Sequence, residues 1–305
     1  MARRYQIYDV FTDRKLSGNP LAVIFDGEGL DPAAMQAIAR EMNLSETVFV
    51  QTAENPAHAA KLRIFTPGRE LPFAGHPTVG TAVALAQRDQ AGEGEDLDLV
   101  CVIEEEVGPI RCAVRLRKGE AGFAEFDLPR RPVRTDLQLD KQRIANSLSV
   151  KITEIGFENH VASLWSAGVP FLMIPLRNLA AVEGLQFDAG LWEQAAPFTE
   201  GRLASAYVYT RGGVHHQAKF HARMFSPDMG IAEDPATGAA VAALSGAIHH
   251  FDALPDGHHP VVVEQGVEMG RPSLIHLHID VRDDSISRAR IGGQAVRIAQ
   301  GELDL

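Results

Sequence analysis

Short runs of alternating apolar and polar residues fill the first half of the chain, a pattern that is typical of β-strands separated by turns. The first runs are YQIYDVF, NPLAVIFD, ETVFVQ and AKLRIFTP, at 5–11, 19–26, 46–51 and 60–67. SGNP, at 17–20, predicts a turn between the first two runs. A meander of strands follows in DLVCVIEEEVGPIRCAVRLR and AGFAEFDLP, at 98–117 and 121–129. The N-terminal half is therefore predicted to be rich in β-structure.

Two stretches have the apolar spacing of helices instead. In DPAAMQAIAREMN, at 31–43, Asp31 is the predicted N-cap and Pro32 takes the first helical position. The second stretch, HPTVGTAVALAQRD at 76–89, consists largely of small residues, and we expect Pro77 to open it. Helices thus interrupt the strands, which favours a mixed α/β fold.

Three segments of the N-terminal half recur in the same order in the C-terminal half. The pairs are SGNPLAVI and AGVPFLMI (from 17 and 167), RIFTP and RMFSP (from 63 and 223), and HPTVGTAVALA and DPATGAAVAAL (from 76 and 234). The differences between these starting positions, 150, 160 and 158, describe one duplication with small insertions. Arg63 and Arg223 fall at equivalent positions, where each is expected to brace its strand through a salt bridge.

The duplication predicts two copies of one α/β unit. Between them, DLPRRPVRTDLQLDK breaks the strand pattern with prolines and alternating charges, as domain boundaries often do. We expect an N-terminal domain over 1–128 and a C-terminal domain over 129–305, with a last strand that can return to the N-terminal domain.

Charge and cysteine content narrow the classes of function. The chain has 29 Lys and Arg against 40 Asp and Glu, a net charge of −11 that argues against nucleic acid or an anionic membrane as partner. No apolar run approaches the ~20 residues of a spanning helix, and no signal peptide is evident at the N-terminus. Cys101 and Cys112 are expected to be reduced thiols. These features predict a soluble cytoplasmic protein.

Four motifs resemble those of the PhzF family of phenazine-biosynthesis-like isomerases, which has the diaminopimelate-epimerase-like fold. The motifs are DVFTDRKLSGNPLAVI, AREMNLSETVFV, RIFTPGRELPFAGHPTVGTA and FSPDMGIAEDPATGAA, and they extend from about residue 9 to about residue 244. The resemblance implies an α/β (α+β) fold of two pseudo-symmetric domains, each a β-barrel-like sheet around a central helix. It also implies a homodimer and a cofactor-independent isomerase with its active site in the cleft between the domains.

The duplication places His76 and Asp234 at equivalent positions, each expected at a helix N-terminus where backbone amides favour an anion. Related epimerases carry two cysteines there as their acid–base pair, whereas the resemblance implies His76 and Asp234 as the catalytic residues here. It further implies that Glu46, in the NLSET motif, is the principal acid and base. A small carboxylate-bearing substrate fits this arrangement.

Further residues are expected to contact the substrate: Ser45, Gly75, Pro77, Gly238 and Ala239. The family often has a serine after DPATG, where this chain has Ala239, so one hydroxyl contact is missing. A neutral hydrogen bond contributes only about 0.5–1.5 kcal/mol, so we expect the change to affect the choice of substrate more than the reaction.

Each catalytic candidate also has a structural interpretation. Glu46 could be an exposed residue at the start of a strand, and His76 a histidine satisfied within the fold. Asp234 could be an N-cap, with Pro235 at the first helical position. The motif and the duplication favour the catalytic interpretation of all three residues. An N-cap role for Asp234 is compatible with a catalytic role for the same residue.

The remaining histidines do not predict a metal site. They occur as adjacent pairs, whose side chains point to opposite faces of a strand, and as the HLH of 276–278. His276 and His278 share a strand face, but no third ligand lies nearby in the sequence. Neither a metal nor another cofactor is expected.

Two other classes of function stay open. An amino-acid racemase or epimerase could use one carboxylate and one imidazole, although the lack of cysteine at both helix starts argues against a two-thiol mechanism. The second is a protein that binds a small molecule or a partner in the cleft without catalysis. The missing hydroxyl at Ala239 favours this interpretation, whereas the presence of Glu46, His76 and Asp234 argues against it.

Overall fold

The computed structural model describes residues 2–89 and 96–305, which form two compact units. Unit 1 takes in the described residues of Met1–Pro129 together with Ile291–Leu305, and unit 2 comprises Arg130–Arg290. The final strand contributes its first residues to unit 2 and the rest to unit 1. Among the described residues, no helix combines the length and hydrophobicity that a membrane crossing requires.

Unit 1 is built on strands that close into a ring of eight. Its strands are β1 (Ala2–Val10), β2 (Asn19–Ile24), β3 (Glu46–Gln51), β4 (Ala60–Phe65), β5 (Glu70–Leu71), β6 (Leu97–Glu105), β7 (Gly108–Leu116), β8 (Gly122–Asp127) and, after unit 2, β19 (Ser285–Asp304). The ring follows the order β1, β2, β3, β4, β6, β7, β8 and β19, and β19 pairs with β1 again. The short β5 pairs with β4 outside this ring.

A helix of small residues, α2 (Gly75–Asp89), packs against five strands of the ring: β1, β2, β3, β7 and β8. Every residue from 75 to 86 is buried, because strands surround this part of the helix. At Gly80 a β-carbon would lie 2.5 Å from Leu21 Cδ2 and 2.7 Å from Val10 Cγ2. The absence of a side chain at Gly80 therefore allows the helix to approach β1 and β2 closely.

The other helix of unit 1, α1 (Pro32–Met42), confirms the prediction made from its capping signals. The side chain of Asp31 accepts a hydrogen bond from the backbone N–H of Ala34 at 2.8 Å. Asn43 ends the helix in the left-handed conformation, with φ of 50°. The helix packs on an apolar cluster formed by Ile24, Met35, Ile38, Ala39, Phe49 and Phe65.

Unit 2 repeats this plan with additional elements. Its strands are β9 (Val133–Thr135), β10 (Ser163–Ser166), β11 (Pro170–Pro175), β12 (Phe198–Thr199), β13 (Arg202–Leu203), β14 (Ser205–Arg211), β15 (Phe220–Ser226), β16 (Ile231–Asp234), β17 (Gly257–Gln265) and β18 (Ser273–Arg282). Its helices are α3 (Lys141–Ser147), α4 (Leu179–Glu183), α5 (Ala189–Ala195) and α6 (Gly238–Asp252), with 3₁₀ turns at Ile152–Glu154 and Pro227–Met229. The main sheet runs β9, β10, β11, β14, β15, β17, β18 and then β19, while β16 pairs with β15 and β12 with β13.

The long helix of unit 2, α6, packs against β9, β10, β11 and β18. A β-carbon at Gly246 would lie 2.6 Å from the ring of Trp165, so this helix also depends on a glycine for close packing. The shorter helices pack with a second apolar cluster, in which Trp192 is fully buried and donates its indole N–H to the carbonyl of Ala204 at 3.1 Å.

The repeat in the sequence corresponds to a repeat of strand pairings. The parallel pair β2 and β3, with Leu21 opposite Glu46, recurs as β11 and β14, with Phe171 opposite Ser205. The parallel pair β4 and β6 recurs as β15 and β17 in the same register, because the partners at 60 and 103 correspond to those at 220 and 263. Each unit thus contains the same two parallel strand pairs.

The starts of the two long helices differ from the predictions. Helix α2 begins at Gly75, so Pro77 is its third residue and does not open it. Helix α6 begins at Gly238 with Thr237 as its N-cap, so the alternative interpretation of Asp234 as the N-cap of this helix is wrong. Asp234 ends β16 instead, because it pairs with Met224 of β15.

Two salt bridges confirm the expected role of the repeated arginines. Arg63 donates two hydrogen bonds to Glu70, at 2.7 and 2.6 Å, and joins β4 to β5. Arg223 makes the equivalent pair to Glu233, at 2.8 and 2.9 Å, and joins β15 to β16.

Candidate active site

In unit 1 a buried imidazole meets a carboxylate. Glu46 is the first residue of β3 and His76 is the second residue of α2. The Nδ1 atom of His76 lies 3.2 Å from Oε2 of Glu46, and the exposed fractions of the two side chains are 4% and 12%. The parallel pairing that sets Glu46 opposite Leu21 of β2, together with the packing of α2 on both strands, brings the pair together.

The surroundings of His76 keep its ring neutral. Burial lowers the pKa of His76 to about 3, and a hydrogen bond with the backbone carbonyl of Pro20 acts in the opposite direction. Its Nε2 atom is buried and has no hydrogen-bond partner among the described residues. A neutral imidazole offers one N–H donor and one acceptor nitrogen beside the carboxyl group of Glu46.

The other predicted site residues of unit 1 adjoin this pair. Ser45 is half-buried and directly precedes Glu46. Gly75 and Pro77 flank His76 in the first turn of α2, and both are buried. The first turn of a helix leaves backbone N–H groups without intrahelical acceptors, and these groups favour an anion.

The remaining predicted residues belong to unit 2. Asp234 is 6% exposed and accepts a hydrogen bond from the hydroxyl of Thr237 at 2.5 Å. Gly238 and Ala239 are the first two residues of α6, the first buried and the second half-buried. Asp234 therefore lies just before a helix start, as His76 lies within one.

Sequence reasoning missed the side chain that holds this segment of unit 2. The amide of Gln265, at the end of β17, donates to the carbonyl of Asp234 at 2.7 Å and to the hydroxyl of Thr237 at 3.0 Å. Its oxygen accepts from the backbone N–H of Thr237 and from the hydroxyl of Tyr207, both at 3.2 Å. All four hydrogen-bonding positions of this buried amide are used.

A signal in the sequence could have found Gln265. VIEE, at 102–105, recurs as VVEQ, at 262–265, with the same offset that relates RIFTP to RMFSP. This fourth repeat sets Glu105 and Gln265 at equivalent positions, at the ends of β6 and β17.

The two cysteines lie outside the group of candidate site residues. Cys101 and Cys112 are free thiols opposite each other on β6 and β7, away from the starts of both long helices in the sequence. Across residues 2–89 and 96–305, no group of three or more His, Cys, Asp or Glu side chains is arranged to hold a metal ion. His276 and His278 do share a face of β18, as predicted.

Comparison with known proteins identifies the family. The model of the PhzC-PhzF family, described as phenazine biosynthesis-like protein, matches residues 8–301. An uncharacterised isomerase of Mesorhizobium japonicum is 52% identical over 303 residues, which cover 99% of this chain and 98% of the relative. A trans-2,3-dihydro-3-hydroxyanthranilate isomerase of Pseudomonas fluorescens is 33% identical over 301 residues, which cover 99% of both chains.

Solved structures agree at the level of the fold. The crystal structure of a Bacillus anthracis phenazine biosynthesis protein of the PhzF family superposes with a TM-score of 0.86, at 24% identity and full coverage of both chains. A hydroxyproline epimerase of Agrobacterium vitis has a TM-score of 0.65 at 12% identity, over 99% of this chain and 91% of the epimerase. The fold is thus the two-domain α/β fold that epimerases share, as the sequence predicts. With this fold, these relatives and the match to the family model, the chain belongs to the PhzC-PhzF family of phenazine biosynthesis-like proteins and is an isomerase of that family.

Proposed function

We propose that this isomerase moves a proton within a small carboxylate-bearing substrate by acid–base catalysis without a cofactor, and that Glu46 and His76 carry the proton. The observation that supports this most strongly is the 3.2 Å approach of His76 Nδ1 to Glu46 Oε2 in a nearly buried pair. A carboxylate and a neutral imidazole in contact can hold one proton between them while it leaves one substrate atom and returns to another.

The proposed reaction begins when Glu46 removes a proton from a carbon atom that neighbouring unsaturation or a carboxylate makes acidic. The C–H bond breaks, an O–H bond forms on Glu46, and the electron pair moves into the conjugated system. Glu46 or His76 then delivers the proton to a different carbon atom of the same molecule. Substrate and product have the same composition, so the reaction consumes no second reactant.

In the same proposal, the residues of unit 2 also contact a carboxylate-bearing substrate. Asp234 would accept a hydrogen bond from a substrate hydroxyl or ammonium group. The backbone N–H groups of Gly238 and Ala239, like those near Gly75, would bind the carboxylate and stabilise charge that develops in the transition state. Ser45 and Pro77 would complete the substrate contacts beside Glu46 and His76.

The names of the relatives support a proposal for the substrate class. A relative that is 33% identical over 99% of both chains is named trans-2,3-dihydro-3-hydroxyanthranilate isomerase. We propose that this chain acts on that compound or on a similar cyclic, partly unsaturated carboxylate. A cytoplasmic location and a homodimer belong to the same proposal, and sedimentation of the purified protein would measure the second.

An assay with trans-2,3-dihydro-3-hydroxyanthranilate and related carboxylates tests the proposal. Glu46→Gln keeps the shape of the side chain but removes its base, so we expect turnover to fall by at least about 100-fold. Glu41→Gln, an exposed position of α1, is the matched control and should match the wild type. Turnover of Glu46→Gln at the wild-type rate would exclude Glu46 from the mechanism.

The same assay separates the other two classes of function. Loss of optical activity in a panel of amino acids would identify a racemase or epimerase. Tight binding of a carboxylate in a thermal-shift screen, with no turnover of any compound, would identify a binding protein.

A further inference from the structure

A buried carboxyl group lies under the start of α2. Glu105 ends β6, and its residue is only 6% exposed. Its Oε1 atom lies 2.7 Å from the hydroxyl of Thr78, and the backbone N–H of Ala74 also hydrogen-bonds the carboxyl group. Ala74 and Thr78 bracket His76 in the sequence, so Glu105 contacts the segment that presents the candidate catalytic imidazole.

Gln265 occupies the same place in unit 2. The partners at 60 and 103 in the parallel pair β4–β6 correspond to those at 220 and 263 in β15–β17, so equivalent residues differ by 160 in number. Glu105 and Gln265 differ by the same number and are therefore equivalent. Gln265 hydrogen-bonds the carbonyl of Asp234 and the backbone N–H and hydroxyl of Thr237. Each unit therefore has one polar side chain, at the end of the same strand, that binds the segment of one candidate catalytic residue.

The geometry at Thr78 indicates the protonation state of Glu105. The hydroxyl oxygen of Thr78 lies 2.8 Å from the carbonyl oxygen of Ala74 and 2.7 Å from Glu105 Oε1. The hydroxyl has only one hydrogen, so it can donate to only one of these two atoms. If Glu105 were ionised, both neighbours would be acceptors and one contact would have no hydrogen. A protonated Glu105 donates to Thr78, and Thr78 then donates to Ala74, so both contacts are satisfied.

A protonated carboxyl group and a primary amide are alike in shape, and each offers both a donor and an acceptor. We propose that Glu105 and Gln265 are a matched pair of positioning residues, which fix the segments of His76 and Asp234, and that Glu105 does so in its protonated form. This role rests on the proposed function of His76 and Asp234.

The electrostatic surroundings agree with a protonated Glu105. Burial raises the pKa of Glu105 to about 8, while its hydrogen bonds with Thr78 and Ala74 act in the opposite direction. The charged and titratable groups on the elements packed around it include Cys101 and Glu104 on β6, Lys61 and Arg63 on β4, Cys112 and Arg111 on β7, Asp127 on β8 and His76 on α2. The cations of this set pair with other carboxylates, Lys61 with Glu54, Arg63 with Glu70 and Arg111 with Asp127, and burial has the largest effect on the pKa of Glu105.

The direction of the pH dependence follows from this pKa. The folded chain holds a proton on Glu105 that the unfolded chain releases above about pH 4.5, so its contribution to stability is lost as the pH rises through about 8. Above that pH, the ionised carboxyl group can no longer donate to Thr78. Turnover should therefore fall on the alkaline side as the segment of His76 loses its support.

Turnover and stability across about pH 6 to 10, measured for Glu105→Gln and Glu105→Ala, test the proposal. Glu105→Gln imitates the protonated acid, so it should keep the neutral kcat within about threefold and remove the alkaline loss of kcat and of melting temperature. Glu105→Ala should lower kcat about 10- to 100-fold while KM changes less. Glu106→Gln, the exposed neighbour, is the control and should keep the wild-type pH profile.

The reciprocal change provides a second test that does not depend on Glu105→Ala folding. Gln265→Glu places a carboxyl group in the equivalent site, so this variant should acquire an additional alkaline loss of stability and of turnover. An unchanged alkaline loss in Glu105→Gln, or wild-type kcat in Glu105→Ala, would overturn the proposal.

Hydrogen exchange without substrate separates this proposal from that for the reaction. The amides of residues 73–79 should exchange faster in Glu105→Ala than in Glu106→Gln. If these amides exchange faster in Glu105→Ala while Glu46→Gln stays fully active, Glu105 does position the segment of His76 and the proposed reaction is wrong. If exchange is unchanged, the positioning role is wrong whatever the reaction proves to be.

Discussion

Nδ1 of His76 lies 3.2 Å from Oε2 of Glu46, although the two residues are far apart in the sequence. The closed ring of strands in unit 1 and the helix packed against it produce this approach, so no local motif could have created it. Because His76 is almost fully buried, its imidazole is neutral. The carboxyl group of Glu46 is therefore the group that we propose removes the proton from the substrate.

The first prediction concerns the charge of two buried histidines. Burial lowers the pKa of His76 to about 3. Burial also acts to lower the pKa of His221, but Glu264 and Glu268, at 2.7 and 2.8 Å from its two ring nitrogens, outweigh burial and raise it to about 9. We expect NMR of labelled histidine, between about pH 5 and 8, to show His76 neutral and His221 charged throughout.

Variants His76→Gln and His221→Gln would assign the two signals. A His76 signal that titrates near its ordinary pKa of about 6.5 would show that the ring is not shielded, contrary to this prediction.

The second prediction concerns Ala239, at a position where the resemblance to the family leads us to expect a serine. This residue is half-buried in the first turn of α6. If the substrate carboxylate binds there, Ala239→Ser should lower KM about two- to tenfold, because a new hydrogen bond contributes about 0.5–1.5 kcal/mol. The kcat should change much less.

Steady-state kinetics would measure both constants, with Ala239→Gly as a control that adds no hydroxyl. A fall of KM in both variants, or a loss of kcat in Ala239→Ser alone, would argue against a carboxylate site at this helix start.

The third prediction concerns the packing of the central helix of unit 1. A β-carbon at Gly80 would lie 2.5 Å from Leu21 and 2.7 Å from Val10, so Gly80→Ala should lower the free energy of unfolding by about 1–3 kcal/mol. Gly68→Ala is the matched control, because its nearest neighbour, Thr66 Oγ1, would be 3.7 Å away. Chemical denaturation measures the difference, and equal stability of the two variants would contradict the close packing of α2.

The fourth prediction concerns a carboxylate that holds a loop. The backbone N–H groups of Asn55 and Glu54 donate to Glu104 at 2.9 and 2.8 Å, and with His58 they lower the pKa of Glu104 to about 2. The stability that this group contributes is present above its unfolded pKa of about 4.5 and is lost as the pH falls towards 2. Glu104→Gln should therefore melt at a lower temperature than the wild type at pH 7, and the gap should close on acidification.

Glu106→Gln, two residues further along the chain, is the control. It should melt at the same temperature as the wild type both at pH 7 and after acidification to about pH 3. A gap between Glu104→Gln and the wild type that stays constant down to about pH 3 would show that charge is not the cause.

Local signals in the sequence predicted much of the fold. The strands β3 and β4 start at the residues expected from their apolar runs, and Asp31 caps α1 as its side chain and the following proline indicate. These features depend on neighbours in the sequence, which is why a single chain reveals them. The repeats extended the prediction to two similar units, because equivalent segments were visible at nearly constant offsets.

Features set by distant contacts were not predicted. The start of α6 lies at Gly238, beyond Pro235, because pairing with Met224 holds Asp234 at the end of a strand. Gln265 fixes Asp234 from a distant part of the sequence, a link that appears only once the strands are paired. Only the repeat of VIEE as VVEQ could have indicated it.

The residues that precede Glu105 and Gln265, which are Glu104 and Glu264, are related in a similar way. Glu104 accepts from the backbone N–H groups of residues 54 and 55, and Glu264 accepts from those of Val214 and His215, which are the equivalent positions in the second copy. The duplication therefore preserves hydrogen bonds that support loops as well as the strands themselves.

Isomerisation in deuterated buffer tests the central claim, proton transfer by Glu46, most directly. With trans-2,3-dihydro-3-hydroxyanthranilate, or whichever carboxylate the chain turns over, the proton held by Glu46 should exchange with solvent before it is delivered, so the wild-type product should carry deuterium at the carbon atom that receives it. The product mixture from Glu46→Gln should contain none above the uncatalysed background, while Glu41→Gln should match the wild type. Incorporation of deuterium by Glu46→Gln at the wild-type rate would contradict the assignment of Glu46 as the acid and base.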